Sequence, residues 1–197
     1  MPASLPDAAA RARYIQAQYQ DAYITWRADE ITGLVRRIRA LLQTQRPDMT
    51  LAADVFAHAD GAYRGVAQDW RRWASEGLVD AVYPMFYGDA QRLWDVSDYV
   101  RDTTTTLDQR AAAAGQGRAA LVIGLSTAWY EPLAPDEAAV RINRALASGA
   151  DGSALQMLPY WWHEQYQQFR QYYLPQSADW LALWDYDAVL SSLFRGD

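Results

Sequence analysis

Four short, mostly apolar runs, each separated from the next by a helical pattern, constrain this chain more than any other feature. Leu51–Ala57, Leu78–Tyr87, Ala119–Ser126 and Ala154–Leu158 have the length and composition of strands covered on both faces. After the first run, Asp60 is placed to cap a helix holding Tyr63, Val66, Ala67, Trp70, Trp73 and Ala74 at helical spacing, with Gly77 as its stop. After the second, Val96–Ala114 reads as a helix closed by Gly115 and Gly117. After the third, Pro135 suits a first helical position, Asp136 and Glu137 complement the dipole, and Gly149 ends the turn. Strand–helix alternation of this kind predicts βαβ units and a parallel sheet.

A local echo supports the repeat. Glu76-Gly77-Leu78-Val79-Asp80 and Ser148-Gly149-Ala150-Asp151-Gly152 each place a glycine stop and an aspartate just before a strand. A helix stop and a polar turn account for both. Upstream, Thr25 or Asp29 can cap a helix with Ile31, Leu34, Val35, Ile38 and Leu42 on its apolar face. Arg36, Arg37 and Arg39 form the face expected in solvent, and Pro47 ends it. The expected division is a helical or loop segment over 1–22, the βα repeats over 23–174 and a helical tail over 175–197, broken from them at Pro175. Trp162, Tyr166, Phe169 and Tyr173 keep helical spacing and read as core.

Composition narrows the chemistry. All 18 basic residues are Arg, Cys is absent, and His58 and His163 are the two histidines. Schiff-base catalysis, pyridoxal-phosphate attachment and a Walker-A loop need Lys. Thiol catalysis, disulfides, iron–sulfur clusters and Cys-ligated zinc need Cys, and a three-His metal site needs a third histidine. Neither a metal nor a cofactor is therefore expected. A net charge of −6 argues against nucleic acid. No apolar run approaches the roughly 20 residues that span a bilayer. Met1–Ala10 contains Asp7 and no apolar stretch of a signal peptide. Carboxylates, hydroxyls and aromatics remain, and 9 Trp with 13 Tyr make the last class prominent.

In α/β folds of this type, reactive residues sit where strands pass into the following loops. Asp54 is a carboxylate inside an apolar strand, where desolvation costs several kcal/mol unless it is paired. It reads either as a base or ligand-binding group at the mouth or as the structural partner of an Arg. His58 follows on the loop and reads as a surface residue. At the second strand's exit, period two aligns Tyr83, Met85, Tyr87 and Asp89. An aromatic, a glycine and an acid there suit a polyol, ring against the sugar's CH face and carboxylate against its hydroxyls; Gly88-Asp89 also fits a plain turn.

Gly124-Leu125-Ser126-Thr127-Ala128 falls short of the nucleophile elbow of serine hydrolases, because its last glycine is missing and no helix starts at once. Trp129 and Glu131 beyond it offer a stacking platform and an acid, or a plain surface loop. Tyr160 and Trp161, on the loop after the fourth strand, are further ligand candidates.

The segments also occur in a familiar order. Trp26-Arg27, Arg36-Arg37-Ile38-Arg39, Arg46-Pro47-Asp48, Leu51-Ala52-Ala53 and Val55-Phe56 come first. Gln68-Asp69-Trp70, Trp73, Glu76-Gly77-Leu78-Val79-Asp80 and Pro84-Met85-Phe86-Tyr87 follow. From Tyr23 to Phe169 the chain resembles glycosyl hydrolase-like family 10, bacterial (β/α)8 TIM-barrel proteins presumed to act on carbohydrates.

The resemblance implies that the four strands are strands five to eight of the barrel, giving a partial (β/α)8 barrel with an N-terminal helix and an aromatic helical tail. It further implies a glycoside hydrolase whose acidic strand-four end lies upstream of these residues, and an exported, periplasmic or extracellular setting. Tyr87 and Pro84-Met85 fall on the family motif, whereas Asp54 stands where a small residue is expected. The expected catalytic or subsite carboxylates are Asp54, Asp89 and Glu131, and the expected sugar contacts are Met85, Tyr87, Trp129, Tyr160 and Trp161. A closed barrel takes about 250 residues and eight strands, so four repeats imply a fragment, inactive alone, whose partner is the other half of the barrel or a second copy. A non-catalytic carbohydrate-binding or interaction module is the alternative.

Overall fold

The computed structural model of the chain describes residues 7–126, 133 and 135–156. Two helices lead, α1 (Ala8–Gln18) and α2 (Gln20–Gln45). Then come β1 (Ala52–Phe56), α3 (Ala59–Val66), α4 (Trp70–Ser75) and β2 (Ala81–Phe86). They are followed by α5 (Asp89–Leu93), α6 (Val96–Ala113), β3 (Ala120–Ser126), α7 (Pro135–Ala147) and β4 (Gly152–Gln156). The strands form one sheet in the order β1-β2-β3-β4, every neighbour parallel. The expected alternation therefore holds, with β4 beginning two residues earlier than the sequence suggested.

Period two sorts β1, β2 and β3 into two faces, while the residues of β4 are all half-buried. Val55, Val82, Phe86, Leu121, Ile123 and Leu125 are fully buried against Val100, Leu107 and Ile142 of the helices. Burial of one such side chain contributes about 1.5–3 kcal/mol. The opposite face differs from the expectation of strands covered on both sides. Ala52, Asp54 and Phe56 are exposed there, and Tyr83, Met85, Tyr87 and Val122 are half-buried.

The leading helix differs in two respects. It starts at Gln20, ahead of both expected caps, and buries a different face. Ile24, Ala28 and Thr32 point inward, because Thr32 accepts the indole N–H of Trp73 at 2.9 Å. Arg36 and Arg39, expected in solvent, bind Glu76 and Asp80. The larger residues Leu34, Ile38 and Leu41 are left exposed.

The helix expected after Asp60 is two helices. His58 is the N-cap, its Nδ1 accepting the Gly61 N–H at 2.9 Å. Ala67, at φ 61°, takes the left-handed conformation that ends α3.

The sequence echo has one physical purpose. Gly77 and Gly149, both at positive φ, end α4 and α7. Asp80 accepts the Leu51 N–H at 2.8 Å and returns its own N–H to the Leu51 carbonyl at 2.7 Å. Asp151 repeats this with Leu121, at 2.8 and 2.9 Å. Each aspartate also holds an arginine, Arg39 or Arg118. The N-terminal strand ends are thus bracketed in pairs, which leaves the C-terminal ends for chemistry.

Candidate functional site

Three adjacent strands bring their open-face residues together at their C-terminal ends. Asp54 pairs in register with Tyr83, Phe56 with Met85, and Met85 with Gly124. Tyr87, one residue past β2, turns its ring over Gly124. A Cβ on Gly124 would lie 3.2 Å from the Tyr87 hydroxyl and 3.2 Å from the Pro84 carbonyl oxygen. Any larger residue would require the Tyr87 ring or the β2 backbone to give by a few tenths of an ångström.

Burial pushes the Tyr87 hydroxyl above its ordinary pKa, and the negative charge of Asp54 adds to the shift. The group stays a neutral donor and acceptor at physiological pH. Asp54 itself is exposed, so the desolvation cost expected of a buried carboxylate does not arise. Among the described residues no arginine forms an ion pair with it, and its charge is felt at the Tyr87 hydroxyl.

A cavity of about 360 Å³ opens at the C-terminal ends of β1 and β2. Phe56, His58, Met85, Tyr87, Asp89 and Trp94 are among its walls. Trp94 is fixed by rings on both sides, 5.6 Å from His58 and 6.0 Å from Tyr99 with planes 18° apart. Tyr99 in turn donates to the Ala57 carbonyl at 2.9 Å, fixing the exit of β1. An aromatic wall with polar tips and a carboxylate at its rim can hold a polyol.

Asp89 departs from the expected strand row. It is the first residue of α5, its side chain in solvent and paired with Arg92 at 2.7 Å, because Gly88 at φ 53° turns the chain out of β2. It still reaches the cavity. Trp129, Glu131, Tyr160 and Trp161 lie outside the described residues.

Phe56 and Trp94 were not singled out from sequence as site residues, and His58 was read as a surface residue. Phe56 was signalled by period two from Asp54, whereas His58 reads as an ordinary loop residue until its cap is seen. Among the described residues no group of three His, Asp or Glu could hold a metal ion, and no helix is long and apolar enough to cross a membrane.

A parallel sheet backed by helices, with aromatic and acidic side chains at its C-terminal ends, is similar in fold to part of a glycoside hydrolase domain. It is similar to the structure of the PgaB (BpsB) glycoside hydrolase domain from Bordetella bronchiseptica, with a TM-score of 0.54 and 9% identity. That likeness covers 81% of this chain and 45% of the other, so the chain spans less than half of that domain. The family model for Glycosyl hydrolase-like 10 matches residues 8–129, and the chain belongs to that family. No curated protein sequence matches it.

Proposed function

We propose that the chain is the C-terminal half of a carbohydrate-active (β/α)8 barrel whose parent hydrolyses O-glycosidic bonds of a poly- or oligosaccharide. The observation that carries this reading is Tyr87 laid across Gly124 beside Asp54, at the C-terminal strand ends where such barrels keep their sites. Four parallel strands are half of the eight that close a barrel. The edge of β1, unpaired among the described residues, and the exposed apolar stripe of α2 fit a surface that further βα units cover, whether from the other half of the barrel or from a second copy.

Glycoside hydrolysis normally uses two carboxyl groups, about 5–5.5 Å apart for retention and about 6.5–9.5 Å for inversion. Asp54, Asp89 and Glu131 are this half's candidates for the second carboxylate or for subsite contacts. Met85, Tyr87, Trp129, Tyr160 and Trp161 are its candidates for holding the sugar. The first carboxylate belongs to the complementary half.

One observation favours a second reading, a sugar-binding module without turnover: among the described cavity walls Asp89 is the single carboxylate. A glycan array probed with the purified chain and with Tyr87→Ala tests the shared core of both readings. Retention of oligosaccharides by the wild type and at least tenfold weaker retention by the variant are expected. No retention by a folded wild-type chain overturns the proposal.

A further inference from the structure

His58 stands at the exit of β1 with one ring nitrogen already engaged. Its Nδ1 accepts the Gly61 N–H at 2.9 Å and so caps α3. A backbone N–H can only donate, so Nδ1 holds a lone pair and the proton of the neutral ring sits on Nε2. The fit is close: a Cβ on Gly61 would lie 3.0 Å from Nδ1. A glycine inside a helix is destabilising relative to alanine, and here it makes room for the ring.

The cap alone does not call for histidine. Asn, Asp, Ser and Thr are the favoured side chains at such a position, because one oxygen on a short stem reaches the same N–H. What the imidazole adds is a second polar atom. His58 is exposed, and its ring is part of the cavity wall, 5.6 Å from the Trp94 ring between centroids. Among the described residues the Gly61 N–H is the ring's one hydrogen-bond partner, which leaves Nε2–H for a ligand.

The walls around this donor are largely apolar or aromatic, with Ala62 and Val66 of α3 on one side and Met85 and Trp94 on the other. A lone donor among such walls suits a ligand that presents an acceptor oxygen beside CH surface. A sugar ring offers both.

We infer that His58 is a sugar contact of the candidate site, a donor through Nε2–H to a hydroxyl or ring oxygen, with its tautomer fixed by the cap on α3. The contact rests on the proposed function, whereas the tautomer does not.

Two measurements on the full chain separate these. Long-range proton–nitrogen correlation spectra read the tautomer at about pH 8, where an ordinary histidine is neutral. The His58 signals are those lost in His58→Asn. A protonated Nε2 and a bare Nδ1 are expected; a proton on Nδ1 overturns the inference. Adding a retained oligosaccharide should move the Nε2 signal, and an unmoved Nε2 overturns the contact.

Glycan-array retention and the urea midpoint are then compared in His58→Asn and His58→Ala. Asn keeps a cap and lacks the second nitrogen, so its midpoint should stay near that of wild type while retention falls at least tenfold. Ala lacks both, so its midpoint and its retention should both fall. Retention kept in His58→Asn overturns the contact and leaves the proposed function standing. A folded wild-type chain that retains no glycan overturns the proposed function, and the contact falls with it.

Discussion

Tyr87 and Gly124 face each other closely across the β2–β3 boundary: a Cβ at position 124 meets the tyrosine hydroxyl at 3.2 Å and its Cε1 at 3.3 Å, tighter than ordinary van der Waals contact. The third neighbour, the Pro84 carbonyl oxygen, belongs to the backbone of β2 and cannot swing aside. Gly124→Ala is therefore expected to cost about 1–3 kcal/mol as an overpacked site. It should also displace the Tyr87 ring from the mouth. Urea unfolding reads the first effect and glycan retention the second; a neutral change in both shows that the crossing is not tight.

The Tyr87 hydroxyl owes its raised pKa first to burial and second to Asp54. A folded-state pKa above the unfolded value near 10 gives stability that is full below about pH 10 and lost as the pH rises through the folded value. Tyr87→Phe should flatten part of this alkaline loss. Asp54→Asn should lower the Tyr87 pKa slightly, leaving it above that of a free tyrosine. Ultraviolet titration near pH 10 and above checks the order of the two causes. A complete return to the free value in Asp54→Asn would reverse it.

At the opposite strand ends, Arg39 and the Leu51 N–H hold the Asp80 carboxyl below the usual carboxylate range. A depressed pKa contributes stability that is present above the unfolded value near 3.9 and lost as the pH falls through the folded one. The group is about one-third exposed, so solvent screening limits the worth of the pair. Asp80→Asn is expected to cost about 1 kcal/mol at pH 7, with the difference from wild type shrinking in acid. An equal gap at pH 7 and pH 2 removes the ion pair as its cause.

The outer stripe of α2 carries Trp26, Leu34 and Leu41, at 56%, 45% and 53% exposure. If it is a surface for further βα units, the isolated chain self-associates through it. Leu34→Glu with Leu41→Glu should then reduce the light-scattering mass at micromolar concentration and leave the denaturation midpoint nearly unchanged. A wild-type chain that stays monomeric, or a large loss of stability in the double variant, tells against an interface there.

The strand–helix alternation was legible because most elements keep their own period and Pro47, Gly77, Gly115 and Gly149 mark four of the helix stops; the stop at Ala67 has no such mark, and α3 and α4 were read as one helix. Gly77 and Asp80, with their echo at Gly149 and Asp151, even marked the strand pairs that are bracketed. The face of α2 was not legible, since the helix is apolar on two sides. The choice between them falls to Thr32, Arg36 and Arg39, whose partners lie about 40 residues away on the α4–β2 segment. The exposure of Asp54 was hidden for a related reason: an alternating strand shows which residues share a face, and only the neighbouring elements decide whether that face is covered. That Tyr83, Met85 and Tyr87 share one face of β2 and its exit followed from strand period. The buried Gln91 side chain, which accepts the Ser126 N–H at 2.9 Å and donates to the Ser126 carbonyl at 3.1 Å, was invisible, because nothing local to α5 announces a hydrogen bond to the exit of β3.

The most direct test of the half-barrel reading is a turnover assay on the purified, folded chain, following release of reducing ends from the oligosaccharides it retains. Retention without release is expected on that reading, which assigns one carboxylate and the sugar rim to these residues and the complementary half of the site to further βα units. Sustained release by the chain alone, abolished by Asp54→Asn or Glu131→Gln, would contradict that reading and place a complete glycosidase within these 197 residues.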